Sequence, residues 1–102
     1  MLLAFSIAPA GPGEDGSYAP AVAAALQVVR DSGLPHDLGS MFTTIEGEWD
    51  EVMDVVKRAT AEAGRYGSRV SLVLKADIRP GHDGELDGKV ERMEAAVDRL
   101  EH

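Results

Sequence analysis

The chain has 102 residues, no cysteine, and 18 acidic against 10 basic side chains, for a net charge of −8. That leaves room for one small core, excludes disulfides, thiolate metal sites and cysteine nucleophiles, and disfavours a nucleic-acid partner, since an acidic surface repels phosphate. With 44% apolar and 27% charged residues the composition is that of a folded domain, expected as one unit over 1–102, and no apolar run approaches the ~20 residues of a membrane span, so a soluble cytoplasmic protein is expected.

Leu2 to Ala8 alternates as a strand does. Leu3, Phe5 and Ile7 share one face, and Ala4, Ser6 and Ala8 share the other. The opening stretch MLLAFSIAPAG is apolar but lacks a basic n-region, so a strand explains it better than a secretory signal. A loop rich in Gly and Pro, PAGPGEDGS at 9–17, follows. Ser17 is the expected cap of a first helix, with Pro20 in its first turn. Val22, Leu26 and Val29, with Ala25 between them, are its expected apolar face. Gly33 fits the left-handed residue that ends a helix, and Pro35 prevents continuation.

Residues 36–46 are expected as a hairpin: a short strand at 36–38, a turn at Gly39-Ser40 and a stronger strand at 41–46. A second helix from about Glu48 carries the stripe Trp49, Val52, Met53, Val56, Ala59 and Ala63, which places Trp49 in the core; Gly64 and Gly67 stop it. Residues 70–78 form the longest strand, with Val70, Leu72, Leu74, Ala76 and Ile78 alternating against Ser71, Val73, Lys75 and Asp77. The last helix sets Leu86, Val90, Met93, Val97 and Leu100 at spacings of four and three, a narrow seam suited to a single neighbour. The order β-α-β-β-α-β plus a terminal helix predicts an α+β, ferredoxin-like sandwich: a four-stranded antiparallel sheet with two helices on one face. The other face, with Ala4, Ser6, Ala8, Phe42, Thr44, Val73 and Lys75, is too apolar for open exposure. It is expected to meet another subunit, a ligand or the terminal helix.

Catalytic patterns are poor. His36, His82 and His102 have no metal-ligand spacing and are expected as solvated surface residues. Ser6, Ser17, Ser32, Ser40, Ser68 and Ser71 sit in no nucleophile-elbow pattern. GPGEDG at 11–16 lacks the spacing of a phosphate loop and carries two acids, and HDGELDG at 82–88 lacks the spacing of a calcium loop. Glu48, Asp50 and Glu51 are explained as acids in a first helical turn. Glu46 is not, because it ends a strand ahead of that helix.

The segments SIAPAG at 6–11, SGL at 32–34, TTIEGEWDEV at 43–52, RV at 69–70, KADIR at 75–79 and KVE at 89–91 occur in a consistent order. In this the chain resembles, over nearly its whole length, the family of small thiamine-binding proteins of ferredoxin-like fold, with Thr43 through Gly47 as the most specific piece. The resemblance implies a non-catalytic protein that binds thiamine or its hydroxymethylpyrimidine moiety, with no metal or other cofactor. It further implies assembly as a dimer of dimers with the ligand near subunit contacts. The site residues it suggests are Ser6, Phe42, Thr43 and Glu46. Relatives tend to carry Pro-Met-Gly where this chain has Ser40-Met41-Phe42, so Phe42 either fills part of the pocket or stacks on a ligand ring. Glu46 has two readings: a carboxylate that orients an aminopyrimidine, or a structural one that pairs with Lys75 or caps the second helix. Thr43 is read as a strand-former as much as a ligand hydroxyl. Lys75, Asp77 and Arg79 are expected in a charge network. The alternative function is a structural or regulatory homo-oligomer without a ligand, and a weak enzyme ranks last for want of a positioned acid–base pair.

Overall fold

The period-two stretches become strands and the helical stripes become helices. The structure, a computed structural model, describes residues 1–9, 19–67 and 69–101. Along it run β1 (Leu2–Pro9), α1 (Ala19–Ser32), β2 (His36–Leu38), β3 (Thr43–Glu46), α2 (Trp49–Ala63), a 3-10 turn (Gly64–Tyr66), β4 (Val70–Asp77) and α3 (Glu85–Glu101). The four strands make one sheet in the order β2-β3-β1-β4, with every neighbouring pair antiparallel. This is the expected ferredoxin-like α+β arrangement with one helix added. Ser17, Ser68, His102 and the GPGEDG segment lie outside the described residues. Among the described residues no helix is long and apolar enough to cross a membrane.

Register decides which face each residue takes. Leu3 stands opposite Ile45 and Ala76, and Phe5 opposite Thr43 and Leu74. These residues face α1 and α2; Leu3, Phe5 and Ile45 are buried against Ala21, Ala25 and Val29 of α1 and Val52, Val55, Val56, Ala59 and Ala63 of α2. The opposite face carries Ala4 between Thr44 and Lys75, Ser6 beside Val73 and Ala8 beside Ser71. That is the open face expected above, except for Phe42. Because β3 begins only at Thr43, the strand alternation does not extend to Phe42, which lies in the turn between β2 and β3.

Both packed helices are turned relative to the expectation. In α1 the buried ridge is Ala21, Ala25 and Val29, while Val22 is 45% exposed. Small residues at four-residue spacing let the helix sit close to the sheet, which swings Val22 and Leu26 one residue round to its side. In α2 Val52, Val56, Ala59 and Ala63 are buried as expected, Val55 joins them, and Met53 is only partly buried beside them. Trp49 does not belong to the core: it is the first residue of α2 and 54% exposed. It lies past the end of β3, in a shallow groove with Ile78, Arg79, Pro80 and His82, where there is no sheet beneath the helix. Gly33 ends α1 with φ 74° and its N–H on the Arg30 carbonyl, as the sequence suggests.

Helix α3 departs from the compact body. Val90, Met93 and Val97 are about half exposed and Leu100 is 86% exposed. The molecule measures 53 × 31 × 19 Å with a radius of gyration of 15.7 Å, against roughly 13 Å for a compact domain of this length.

The burial contrast has a direct test in urea unfolding. Leu3→Ala, at a fully buried site, is expected to cost about 2–5 kcal/mol. Trp49→Ala should cost less than about 1 kcal/mol, because the side chain is half exposed and lies outside the core.

Candidate functional site

β1 is eight residues long and pairs with β4 from Leu2 to Pro9, but its ladder with β3 runs only from Leu2–Glu46 to Phe5–Thr43. Among the described residues, β1 has β4 as its only strand neighbour from Ser6 onward. The sheet therefore opens between the second half of β1 and the turn joining β2 to β3. Helix α1 covers this opening with the residues its rotation brings to the side, Val22 and Leu26. The result is a cleft of about 200 Å³ lined by Phe5, Ser6, Ile7, Val22, Ala25, Leu26, Val29, Leu38, Gly39, Ser40, Met41, Phe42 and Thr43.

Its turn is held tightly. The Gly39 N–H donates to the Phe42 carbonyl at 2.9 Å, and a Cβ on Gly39 would lie 2.7 Å from that same oxygen. Only glycine fits there without moving the backbone that carries Phe42. Thr43 stands opposite Phe5 and so turns its side chain to the helix-covered side, into the cleft. Ser6 borders the cleft, but the pleat directs its hydroxyl to the open face, so it meets the cleft through its backbone. Phe42 is 39% exposed and forms part of the wall.

The structure thus brings Ser6, Phe42 and Thr43 together and leaves Glu46 apart. Glu46 follows the buried Ile45 by one residue and lies on the open face opposite Leu2. There its carboxylate, only 9% exposed, accepts the backbone N–H of Glu85 at 2.7 Å and of Leu86 at 3.4 Å. These belong to the first turn of α3, whose N–H groups have no partners within the helix. Gly84, whose carbonyl accepts the Gly88 N–H at 2.9 Å, precedes the helix and has no side chain to cap it. Glu46 supplies the cap from 39 residues away and places a negative charge at the positive end of the helix dipole. Neither expected structural partner is used: α2 begins instead with the Glu48 N–H on the Glu51 carboxylate at 3.0 Å.

A charge network surrounds the same root. Glu85, 6% exposed, accepts from Arg92 at 2.6 Å and lies 4.0 Å from Arg79 and 3.9 Å from His82. Lys89 donates to Asp77 at 2.5 Å. The Arg92 hydrogen bond holds the Glu85 carboxyl below its ordinary value against the opposing effect of burial, and Lys89 lowers Asp77 in the same way. Asp77 and Arg79 therefore serve α3, as the expected charge network does, and not the cleft. His36 and His82 are exposed, and among the described residues no cluster of His, Asp and Glu is arranged to hold a metal.

The profile of a family described as thiamine-binding protein matches residues 3–94. The chain belongs to this thiamine-binding protein family. Family resemblance extends to a UPF0045 protein of Mycobacterium bovis, 45% identical over 102 residues, covering 99% of this chain and 98% of that one. Among solved structures, a domain of unknown function, DUF77, from Bacillus cereus is 34% identical with a TM-score of 0.76, over 87% of this chain and 85% of the other. A Thermotoga maritima protein assigned provisionally to thiamine biosynthesis or salvage is 28% identical with a TM-score of 0.70, over 91% and 99%.

Two outcomes follow for the root of α3. Glu46→Ala should speed hydrogen exchange at the Glu85 and Leu86 amides and cost about 0.5–2 kcal/mol, as loss of a helix cap does. Acid should act at the same place. Glu85 and Asp77 have folded-state values below their unfolded ones, near 4.5 and 3.8, so their contribution is complete above those values and is lost as pH falls through the lower folded ones. Exchange at the first turn of α3, corrected for the intrinsic effect of pH, should rise in that window before the core amides open.

Proposed function

We propose that the protein is a non-catalytic, cytoplasmic binding protein for thiamine or a related aminopyrimidine, held in the cleft between α1 and the β2–β3 turn. The observation that carries this reading is the cleft itself, bounded by Phe42 and Thr43, in a chain that belongs to the thiamine-binding family. Phe42 offers a ring face for stacking, and the Thr43 hydroxyl and the β1 backbone at Ser6 offer hydrogen bonds. Of the four site residues that the sequence suggests, Glu46 stands outside this cleft, with its carboxylate on the amides of α3. The described lining holds no acid–base pair of the kind turnover needs, which favours binding over catalysis. The Thermotoga relative's assignment to thiamine biosynthesis or salvage points the same way.

The same reading includes a homo-oligomer, a tetramer built as a dimer of dimers. What supports the assembly is exposed apolar surface: the α3 seam of Val90, Met93 and Val97, each about half exposed, and the face of β4 around Val73, which is 55% exposed. This surface equally suits the second reading, a structural or regulatory oligomer without a ligand, so ligand binding is what separates the two.

Calorimetric titration with thiamine, thiamine phosphate and the free hydroxymethylpyrimidine tests the first reading. Saturation at one hundred times the dissociation constant should add about 2.7 kcal/mol of stability, visible as a thermal shift. Phe42→Ala, at a partly exposed position, should keep the fold and weaken binding about 2- to 12-fold, the worth of one aromatic contact. If none of the three compounds binds, the ligand-free oligomer is the better account. Light scattering should give a tetramer at micromolar concentration, and removal of residues 86–102 should lower that mass while the core still unfolds cooperatively. A monomeric full-length chain would refute the assembly.

A further inference from the structure

The turn that carries Phe42 is weakly tied to the core. β2 is three residues long and exposed throughout, and Met41 and Phe42 are exposed as well. Thr43 is different: it sits in the ladder between Phe5 of β1 and Leu38 of β2, so strands hold it on both sides. Phe42, one residue earlier, precedes β3 and lacks that support. Its direction over the cleft is set by one backbone hydrogen bond, from the Gly39 N–H to the Phe42 carbonyl at 2.9 Å. A Cβ on Gly39 would lie 2.7 Å from that oxygen, with the Phe42 carbonyl carbon and nitrogen next at 3.9 and 4.0 Å. All three atoms belong to the main chain of one residue. A planar peptide cannot swing aside as the end of a long side chain can, so the whole displacement falls on Phe42.

We propose that Gly39 is a positioning residue for binding in this cleft: the absence of a side chain at 39 lets the turn close on the Phe42 carbonyl and so fixes the Phe42 ring as a wall of the cleft. The inference rests on the binding role proposed above and adds a residue that acts through another. An alanine at 39 has two outcomes. It keeps the hydrogen bond by tilting the Phe42 peptide, or it breaks the bond and frees the turn. Either way the ring leaves its place while the anchored Thr43 keeps its own. The fold loses little, because the change is confined to a turn beside a short, exposed strand and Phe42 is not part of the core. Gly33 is the opposite case. A Cβ there meets nothing within 4 Å, but φ is 74°, so a side chain strains its own backbone and touches no wall of the cleft. One glycine is thus needed for where Phe42 points, the other for how α1 ends.

The test is a double-mutant cycle on the full-length protein, titrated with thiamine and with hydroxymethylpyrimidine and melted in the same buffer. Gly39→Ala should weaken binding about 2- to 12-fold, as Phe42→Ala does, because both remove the same aromatic contact. In the Phe42→Ala background, Gly39→Ala should change affinity by less than about twofold, since no ring remains to be placed. Its melting temperature should fall far less than that of Leu3→Ala. Gly33→Ala should show the reverse pattern, a lower melting temperature with affinity within about twofold of the natural sequence. A measurement without ligand runs alongside: the Gly39 amide should be protected from hydrogen exchange in the natural chain. Natural affinity in Gly39→Ala would overturn the proposal and leave the binding role intact. So would losses that simply add in the double variant, an unprotected Gly39 amide, or a Gly39→Ala protein that melts like Leu3→Ala, which would make the glycine a requirement of the sheet. Failure of the natural chain to bind either compound would overturn the binding role and this proposal with it.

Discussion

The mismatch in length between β1 and β3 organises the molecule. A strand of eight residues lies beside one of four, so the pair closes at one end and parts at the other. At the closed end the Met1 ammonium donates to the Gly47 carbonyl at 2.8 Å and the Gly47 N–H donates to the Met1 carbonyl at 3.1 Å, carrying the ladder one step past Leu2–Glu46. Here Glu46 is fixed in direction and can reach α3. At the parted end the missing rungs leave a gap, and the Gly39–Phe42 turn and α1 make it a cleft. The helix anchor and the cleft are thus two consequences of one pairing, on opposite faces and at opposite ends of β3.

Packing explains why the cleft has apolar walls in an acidic protein. The buried ridge of α1 is made of alanines and a valine, so the helix lies low over the sheet and uses little of its own surface as core. Val22 and Leu26 are left over as larger side chains beside it, where they become lining. Helix α2 does the opposite, filling the core with three valines and two alanines and leaving its acids in water. Because both helices pack chiefly on β1, β4 stays thinly covered: Leu72 and Leu74, on the helix side, are 37% and 40% exposed. The surface ion pairs of α2, such as Arg58 with Asp54 at 2.9 Å, add little stability, since exposed pairs contribute about 0–1 kcal/mol.

Most of this fold is legible in the sequence, because its strands alternate and its helices end at glycines. The ferredoxin-like order follows from those signals, as do the two faces of β1 and β4. What the sequence conceals is the phase of each helix within its apolar stripe. In α1 both the 21-25-29 and the 22-26-29 sets are apolar, and only the closeness of the sheet chooses between them. Trp49 fits the stripe of α2 by spacing, but spacing does not reveal that the sheet ends before its first turn. The partner of Glu46 was equally hidden, being 39 residues away. One signal pointed to it: α3 starts after Gly84, where a serine, threonine or aspartate would ordinarily cap, and a helix start without a local cap needs one from elsewhere. Of the cleft, Phe42 and Thr43 were readable from the hairpin, whereas Val22 and Leu26 became part of it only through the rotation of α1.

Helix α3 behaves mechanically as a cantilever. Seventeen residues at 1.5 Å each make an arm about 25 Å long, fixed at one end and free along most of its length. A tilt of about 10° at the root moves its tip by about 4 Å, close to the width of a side chain. Two hydrogen bonds to one carboxylate therefore resist rotation in a way that a single bond, which leaves a swivel, would not. The Lys89–Asp77 and Arg92–Glu85 pairs act as stays on either side of that clamp. Stiffness at the base is thus amplified into positional accuracy at the tip, and a change of one atom in the Glu46 carboxylate would be felt most strongly where the helix is farthest from it.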